Sequence, residues 1–412
     1  MIMYVQKLNE EWQANYDESQ VPPFTLPELL KSVDGRPITT VAEWESNRPR
    51  LLQQFRDVMY GRRLPLPDKV SYELISEKKD AVGGLAVRRE IRLTFAMNNG
   101  RSHSAVMILF IPAGAKKKVP VFTGLTFIGN HVICDDPDVM ITGLAGAGIK
   151  SFTRERGIQR DRFPLAALMK RGFALAVCSY HDFFPDCPGG WPTSVLRIFF
   201  SEEELRPRLP DASAIGVWAW GLSRMLDYLE TVPEIDASQA AVYGHSRLGK
   251  TALWAGAEDT RFKLVCVNDS GCGGAAPNRR LFGETLYCMS RVSDGFGHYW
   301  FTHTLAPRAM HPEELPVDQH QLIALIAPRA VAVHSATEDL WADPRGEYLS
   351  AWSAGPVYKL YGLEPLKSAT PPPPDTPVGT DVSYFLREGR HNILLSDWQC
   401  YMDAFDHAMK RK

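Results

Sequence analysis

The residues best equipped for chemistry in this chain gather around one serine. In Ala241-Val242-Tyr243-Gly244-His245-Ser246-Arg247-Leu248-Gly249-Lys250 a short apolar run ends at a glycine, the serine follows, and an Ala/Leu/Trp segment with helical spacing begins. A strand, a sharp turn and a helix in that order lift a serine hydroxyl above the edge of a sheet, where it serves as a nucleophile. The usual elbow reads G-x-S-x-G, whereas the fifth position here is Leu248 and the glycine comes one residue later, at Gly249. On this stretch alone two readings stand, a nucleophile and a helix N-cap, and the surroundings must decide between them.

A nucleophilic serine needs a base and a group that orients the base. Among eleven histidines, His391 lies in the glycine-bearing loop Arg387-Glu388-Gly389-Arg390-His391-Asn392, just ahead of the helical stretch Trp398–Met409. That is where the fold class with this elbow, the α/β hydrolases, puts its base, in the chain order serine, acid, histidine. His245 adjoins the serine, and neighbours at a tight turn tend to point apart, so it is not expected to act as base. His320 and His334 read as structural. Two acids compete for the orienting role. Asp339 follows the apolar run Ala330–His334, at the turn after the penultimate strand, and is favoured; Asp269 opens the glycine-rich stretch after Val265–Val267, where capping its loop is the simpler role. Glu338 and Asp343 read as solvated or turn residues. Arg247, beside the serine, suits the negative oxygen that forms when an ester carbonyl is attacked, although a surface ion pair is an arginine's commoner fate. Lys250 lies one helical turn beyond Ser246 and can face the same cleft.

The elements that must position these residues are legible in outline. Residues 1–62 read as an N-terminal extension, with a helix over Val41–Tyr60 from the spacing of Trp44, Leu51, Phe55 and Met59. Lys69–Phe95 alternates like two strands around Gly83-Gly84. Ala105–Ile111, Val119–Leu125, Phe173–Ser179, Ala240–Tyr243, Val265–Val267 and Ala330–His334 read as further strands, and Asp211–Leu229 as a helix capped by Asp211 or Ser213. Strands interleaved with helices predict an α/β-hydrolase fold: a mostly parallel central sheet flanked by helices in a three-layer sandwich. We expect a single catalytic domain over 63–412, with a loop-rich insertion near the site at about 127–210.

Composition narrows the function. The chain has 412 residues, is 45% hydrophobic and carries a net charge of −2, so it has no basic footprint for nucleic acid. No apolar run of about 18 residues predicts a membrane span. Seven cysteines without a C-x-x-C pair argue against a disulfide framework or a structural zinc site. No metal and no organic cofactor is expected, and a monomer is. Met1–Gln20 is polar, with no signal peptide visible.

Taken together, Gly244-His245-Ser246-Arg247-Leu248-Gly249-Lys250 resembles the G-C-S-R-x-G-K elbow of the glucuronoyl esterases, carbohydrate esterases that cut lignin–carbohydrate links. Asn268–Ala276, Gly283-Glu284-Thr285, Ala327-Pro328-Arg329 and Leu340-Trp341-Ala342-Asp343-Pro344 resemble segments of their bacterial branch, so the likeness spans roughly residues 100–410. The resemblance implies a serine esterase acting on esters of 4-O-methyl-glucuronic acid in glucuronoxylan, in a family that is usually secreted or periplasmic. It implies Ser246 as nucleophile, His391 as base, Arg247 as oxyanion-stabilising cation, and Lys250, Glu284 and Trp341 around the glucuronate ring. Trp341 as plain core is the alternative for that residue. Fungal members tie the residue before the nucleophile to one after the base by a disulfide; here those positions are His245 and Asn392. Their acid is a glutamate at the position of Asp269, one methylene longer. Other readings of the same residues are an acetylxylan or general carboxylesterase, or an inactive carbohydrate-binding homologue.

Overall fold

The computed structural model describes residues 13–149, 152–208, 211–290 and 299–410. Among these, ten strands form one sheet in the order β1-β2-β3-β5-β4-β6-β7-β8-β10-β9. Strands β1 (Lys69–Asp80), β2 (Ala86–Ala96) and β3 (Ser102–Pro112) make an antiparallel meander. β3 joins β5 (Ala174–Ser179) antiparallel. From there β5, β4 (Val119–Thr126), β6 (Ile235–His245), β7 (Phe262–Asn268), β8 (Ala330–Ala336) and β10 (Val382–Arg387) run parallel, and the two-residue β9 (Val378–Gly379) closes the edge.

The central strands are apolar on both faces because helices cover both. All seven residues of β8 and all six of β5 are buried. Alternate side chains feed two cores. One holds Met107, Val121, Val242, Val265 and Val333, under α1 (Val41–Phe55), α3 (Ala214–Leu229), α4 (Arg247–Glu258) and α5 (Pro344–Ser353). The other holds Phe110, Phe122, Ala241 and Cys266, under α2 (Leu165–Arg171) and α6 (Leu395–Met409). The strand order turns back at β4, which has β5 on one side and β6 on the other. In open α/β sheets the crevice at the carboxyl ends beside such a reversal is the usual ligand site.

The expected helix at 41–60 is α1 followed by a wider turn over Arg56–Tyr60. Thr40 and Glu43 cap it reciprocally, and Trp44, Leu51 and Phe55 point into the core. Tyr60 then stacks on Trp254 of α4 at 4.5 Å between ring centroids, so this part of the N-terminal extension braces the helix behind the elbow. Ser213, not Asp211, caps α3 by accepting from the Gly216 N–H. The loop-rich segment 127–210 carries the strand expected at 173–179, wholly buried as β5, and adds the short helix α2 among its irregular stretches. Its glycines and prolines sit in connections that flank a central strand.

Candidate active site

β6 ends at His245, α4 begins at Arg247, and Ser246 alone makes the turn between them, with φ 58° and ψ −131°. For a residue with a side chain that backbone costs roughly 1–3 kcal/mol and persists only where the surroundings enforce it. Its N–H donates to the Asn268 carbonyl at 2.9 Å, which holds the turn against the end of β7. Two glycines permit the turn. A Cβ on Gly244 would stand 1.9 Å from the Leu248 carbonyl oxygen, and one on Gly249 would meet Asn268 O and Ser270 Cβ at 3.0 Å. The second glycine is thus needed one residue later than usual, where α4 crosses the end of β7.

The His391 loop reaches this turn from β10. The His391 ring lies 4.3 Å, centroid to centroid, from that of His245, beside Ser246. His391 Nδ1 pairs with Asp339 Oδ2 at 2.5 Å, while Asp269 Oδ2 is 4.0 Å away. The two acids differ in surroundings as well as reach. Burial, then the charges of Asp339, Glu347 and Asp397, push the Asp269 carboxyl well above the usual range against a lowering by Arg387. Asp269 Oδ2 accepts from the Asn392 N–H at 3.2 Å, so it tethers the loop next to the imidazole. Glu338 instead pairs with Arg390 on the surface, and Asp343 caps α5 while holding Arg280. His320 bonds the Pro27 carbonyl oxygen, and His334 stacks on Tyr401 near Asp397, both structural as expected.

His245, which was not expected to act as base, lies against His391. Its ring is buried, bonded through Nδ1 to Asn268 Oδ1 at 2.5 Å, and packed against His391. Burial, then the charge of His391, drives the His245 pKa well below normal, which keeps the ring neutral.

Two cations leave the first turn of α4. Arg247 Nη1 pairs with Asp186 Oδ2 at 2.5 Å, its guanidinium 4.4 Å from the centre of the Trp300 ring. Asp186 also accepts from the Tyr180 hydroxyl, the Tyr299 hydroxyl and Trp300 Nε1, each at 2.7 Å. Burial would raise the Asp186 pKa, but Arg247 and these donors hold it below the usual range. Arg247 Nε is buried and has no acceptor among the described residues. Lys250 is 2% exposed and donates to Ser270 O at 2.6 Å, Cys272 O at 2.7 Å and Glu284 Oε2 at 2.6 Å. Those three acceptors match the three hydrogens of an ammonium. The Glu284 N–H donates to the Trp341 carbonyl oxygen at 2.7 Å, and the Trp341 ring, half-buried, rests on the core.

Sequence reasoning missed three residues. Asp186 sits in a stretch read only as loop. Arg387, at the end of β10, donates through Nη1 to the Glu388 carbonyl and through Nη2 to those of Arg390 and Asn392, so one buried guanidinium shapes the His391 loop. Glu347 accepts from Ser270 N–H and Oγ, Gly271 N–H and Ser335 Oγ, tying the glycine-rich loop to β8. A charged residue closing an apolar strand was the available signal for Arg387. Among the described residues, His245, Asp269 and His391 bring possible metal ligands within 4.8 Å of one another. Both Nδ1 atoms are already engaged, and Arg387 Nη2 lies 3.7 Å from Asp269, so this donor set suits a cation poorly. Two clefts, of about 660 and 780 Å³, lie elsewhere, beside residues 352–367 and 364–380. Neither is lined by Ser246 or His391.

A parallel sheet reversing at β4, a strained serine between β6 and α4, and a histidine after the last parallel strand define an α/β-hydrolase fold. The family model of fungal glucuronyl esterases matches residues 204–362. Carbohydrate esterase MZ0003, from an unknown prokaryotic organism, is 39% identical over 407 residues, covering 96% of this chain and 92% of that protein. Among solved structures, a glucuronoyl esterase from Solibacter usitatus superposes with a TM-score of 0.87 at 35% identity, over 95% of this chain and 100% of that one. A promiscuous esterase of carbohydrate esterase family 15 from a marine bacterial metagenome gives 0.85 at 37%, over 96% and 100%. The chain belongs to this family, the glucuronoyl esterases, and is a carboxylic ester hydrolase.

Proposed function

We propose that this protein hydrolyses esters of 4-O-methyl-D-glucuronic acid in glucuronoxylan through an acyl-enzyme on Ser246. The observation that carries the reading is the 2.5 Å pair between His391 Nδ1 and Asp339, in a ring packed beside a serine strained at φ 58°. With Nδ1 engaged, His391 Nε2 is the atom that takes the Ser246 Oγ proton as Oγ bonds the ester carbon. The carbonyl oxygen becomes an oxyanion, met by the N–H groups opening α4 and by Arg247. The carbon–alkoxy bond then breaks, and His391 returns the proton to the leaving alcohol. Water repeats the sequence, freeing the uronic acid and the serine. Asp339 holds the imidazole and balances its charge; Glu284 and Trp341 receive the sugar through hydroxyl hydrogen bonds and ring contact. The test is turnover of benzyl glucuronate against acetylated xylan. Selective cleavage of the first supports this reading, and preference for the second refutes it.

A second reading is a broader carboxylesterase. His391 is 39% exposed, so the cleft is open, and the marine relative is described as promiscuous. Comparable kcat/KM on aryl acetates and glucuronate esters would favour it. Absence of an acyl-enzyme burst on any ester would leave a carbohydrate-binding homologue.

A further inference from the structure

Residues 13–20 run across the loop that carries Glu284. The Asn15 carbonyl oxygen accepts from the Gly283 N–H at 2.8 Å, and Asn15 Nδ2 donates to the Leu281 carbonyl oxygen at 3.2 Å. Glu18 binds Arg280 and, at 3.1 Å, Arg345; Arg280 in turn holds Asp343. The loop beneath is equally constrained, since a Cβ on Gly283 would stand 2.3 Å from Leu340 O and 2.5 Å from Trp341 O. Three segments therefore stack in order: residues 13–20, the Glu284 loop and the Trp341 loop. Between fixed neighbours, Tyr16 is held edge-on against Phe282, 6.2 Å between centroids at 87°, yet stays 49% exposed. Leu281 and Leu340, one on each underlying loop, are also exposed, at 37% and 42%. Partial burial, then the charges of Cys288 and Asp339, raise the Tyr16 pKa. Folding alone gives no reason to anchor a backbone this firmly and leave an aromatic face in water. Exposed apolar side chains on adjoining, mutually anchored segments are the pattern of a binding surface.

We propose that Tyr16 is a specificity-determining residue whose exposed ring takes the face of the sugar to which the glucuronate is attached. The inference rests on the glucuronate reading above. Carbohydrate rings present apolar C–H faces that pack on aromatic planes, and a ring fixed in advance loses little freedom on binding. The position is on the sugar side because its scaffold is the loop pair bearing Glu284 and Trp341.

The experiment compares wild type, Tyr16→Ala and Tyr16→Phe in the full chain on three substrates. These are a methyl glucuronate ester carried on a xylo-oligosaccharide, free methyl glucuronate and an aryl acetate. Tyr16→Ala should raise KM on the oligosaccharide ester roughly three- to tenfold, the worth of one aromatic contact. It should leave kcat and the aryl acetate unchanged, with little change on free methyl glucuronate, and Tyr16→Phe should retain the wild-type KM. Unchanged KM on the oligosaccharide ester overturns the assignment, as does equal loss on all three substrates. A loss as large on free methyl glucuronate as on the oligosaccharide ester, with the aryl acetate spared, would place Tyr16 at the glucuronate itself and also overturn it. Wild type that does not turn over glucuronate esters would instead sink the functional reading itself.

Discussion

Arg247 and Lys250 leave the same turn of α4, and each meets a buried carboxylate from a distant loop, Asp186 at 2.5 Å and Glu284 at 2.6 Å. Their surroundings differ in one respect that decides what each can do. Asp186 is saturated by Tyr180, Tyr299 and Trp300, which fixes one edge of the guanidinium and leaves Nε without an acceptor among the described residues. Lys250 has spent its hydrogens on two carbonyls and Glu284. The arginine pair is thus a mount that presents a charge, whereas the lysine pair is a tie that closes the Ser270–Cys272 loop onto the Glu284 loop. Planar guanidinium and point-charge ammonium suit those two tasks. Lys250 was expected to touch the sugar; its three hydrogens are engaged by Ser270, Cys272 and Glu284, so in the proposed reading any effect on the sugar passes through Glu284.

The comparison has meaning only if the serine reacts. Ser246→Ala should lower kcat by about 10⁴ to 10⁶ while preserving circular dichroism and Tm, as loss of a triad member does elsewhere. Near-normal turnover would reduce both cations to structural roles.

Next in size is the acid. Asp339→Asn should cost roughly 10² to 10⁴ in kcat, by analogy with other serine triads, and Asp269→Asn clearly less. A larger loss at Asp269 would exchange the two assignments; equal partial losses would mean that both carboxylates share the imidazolium.

The cations come third. Arg247→Ala should lower kcat about 10²-fold on both glucuronate ester and aryl acetate, as removal of an oxyanion donor does. Asp186→Asn should lower kcat on both by about tenfold, a part of that effect, with KM unmoved, because a mispositioned donor is felt in the transition state. A rise in KM alone would mean that the arginine meets the ground state.

Lys250→Ala should act first on stability, by about 3–5 kcal/mol, because it leaves Glu284 buried without its partner. The double variant Lys250→Met with Glu284→Leu should recover much of that stability in urea unfolding and still show a raised KM on glucuronate esters. Recovery of KM together with stability would show that Glu284 does not touch the sugar.

The smallest effect is in pH. Asp186 is held below the usual carboxylate range, so its folded-state pKa lies under the unfolded value. Its contribution to stability is therefore full at pH 7 and is lost as pH falls below about 4, toward the folded pKa. The stability gap between wild type and Asp186→Asn should shrink there. A gap undiminished at pH 3 would show that the pair is held by its hydrogen bonds rather than by charge.

The elements most legible in the sequence were those whose side chains repeat with a period. β8 and β5 read as strands because both faces are covered, so every residue is apolar. α3 and α6 announced themselves by helical spacing. The elbow was legible from Gly244, Ser246 and Gly249, since only a residue without Cβ fits 1.9 Å from the Leu248 carbonyl oxygen. His391 and Asp339 were proposed from their places after the strands that became β10 and β8, and the structure brings them to 2.5 Å of each other. What stayed hidden depends on contacts across long separations. Asp186 lies 61 residues from the arginine it holds, and nothing local marks it. The packing of His245 against His391, 146 positions along the chain, joins two distant segments, which a strand–turn–helix pattern does not report. Nor does local sequence say that residues 13–20 lie on the Glu284 loop, because those hydrogen bonds join main-chain groups that every residue carries. Local chemistry determined which atoms can react; the folding of distant loops onto the carboxyl ends of the strands decided which charges are held, which are spent and which face the cleft.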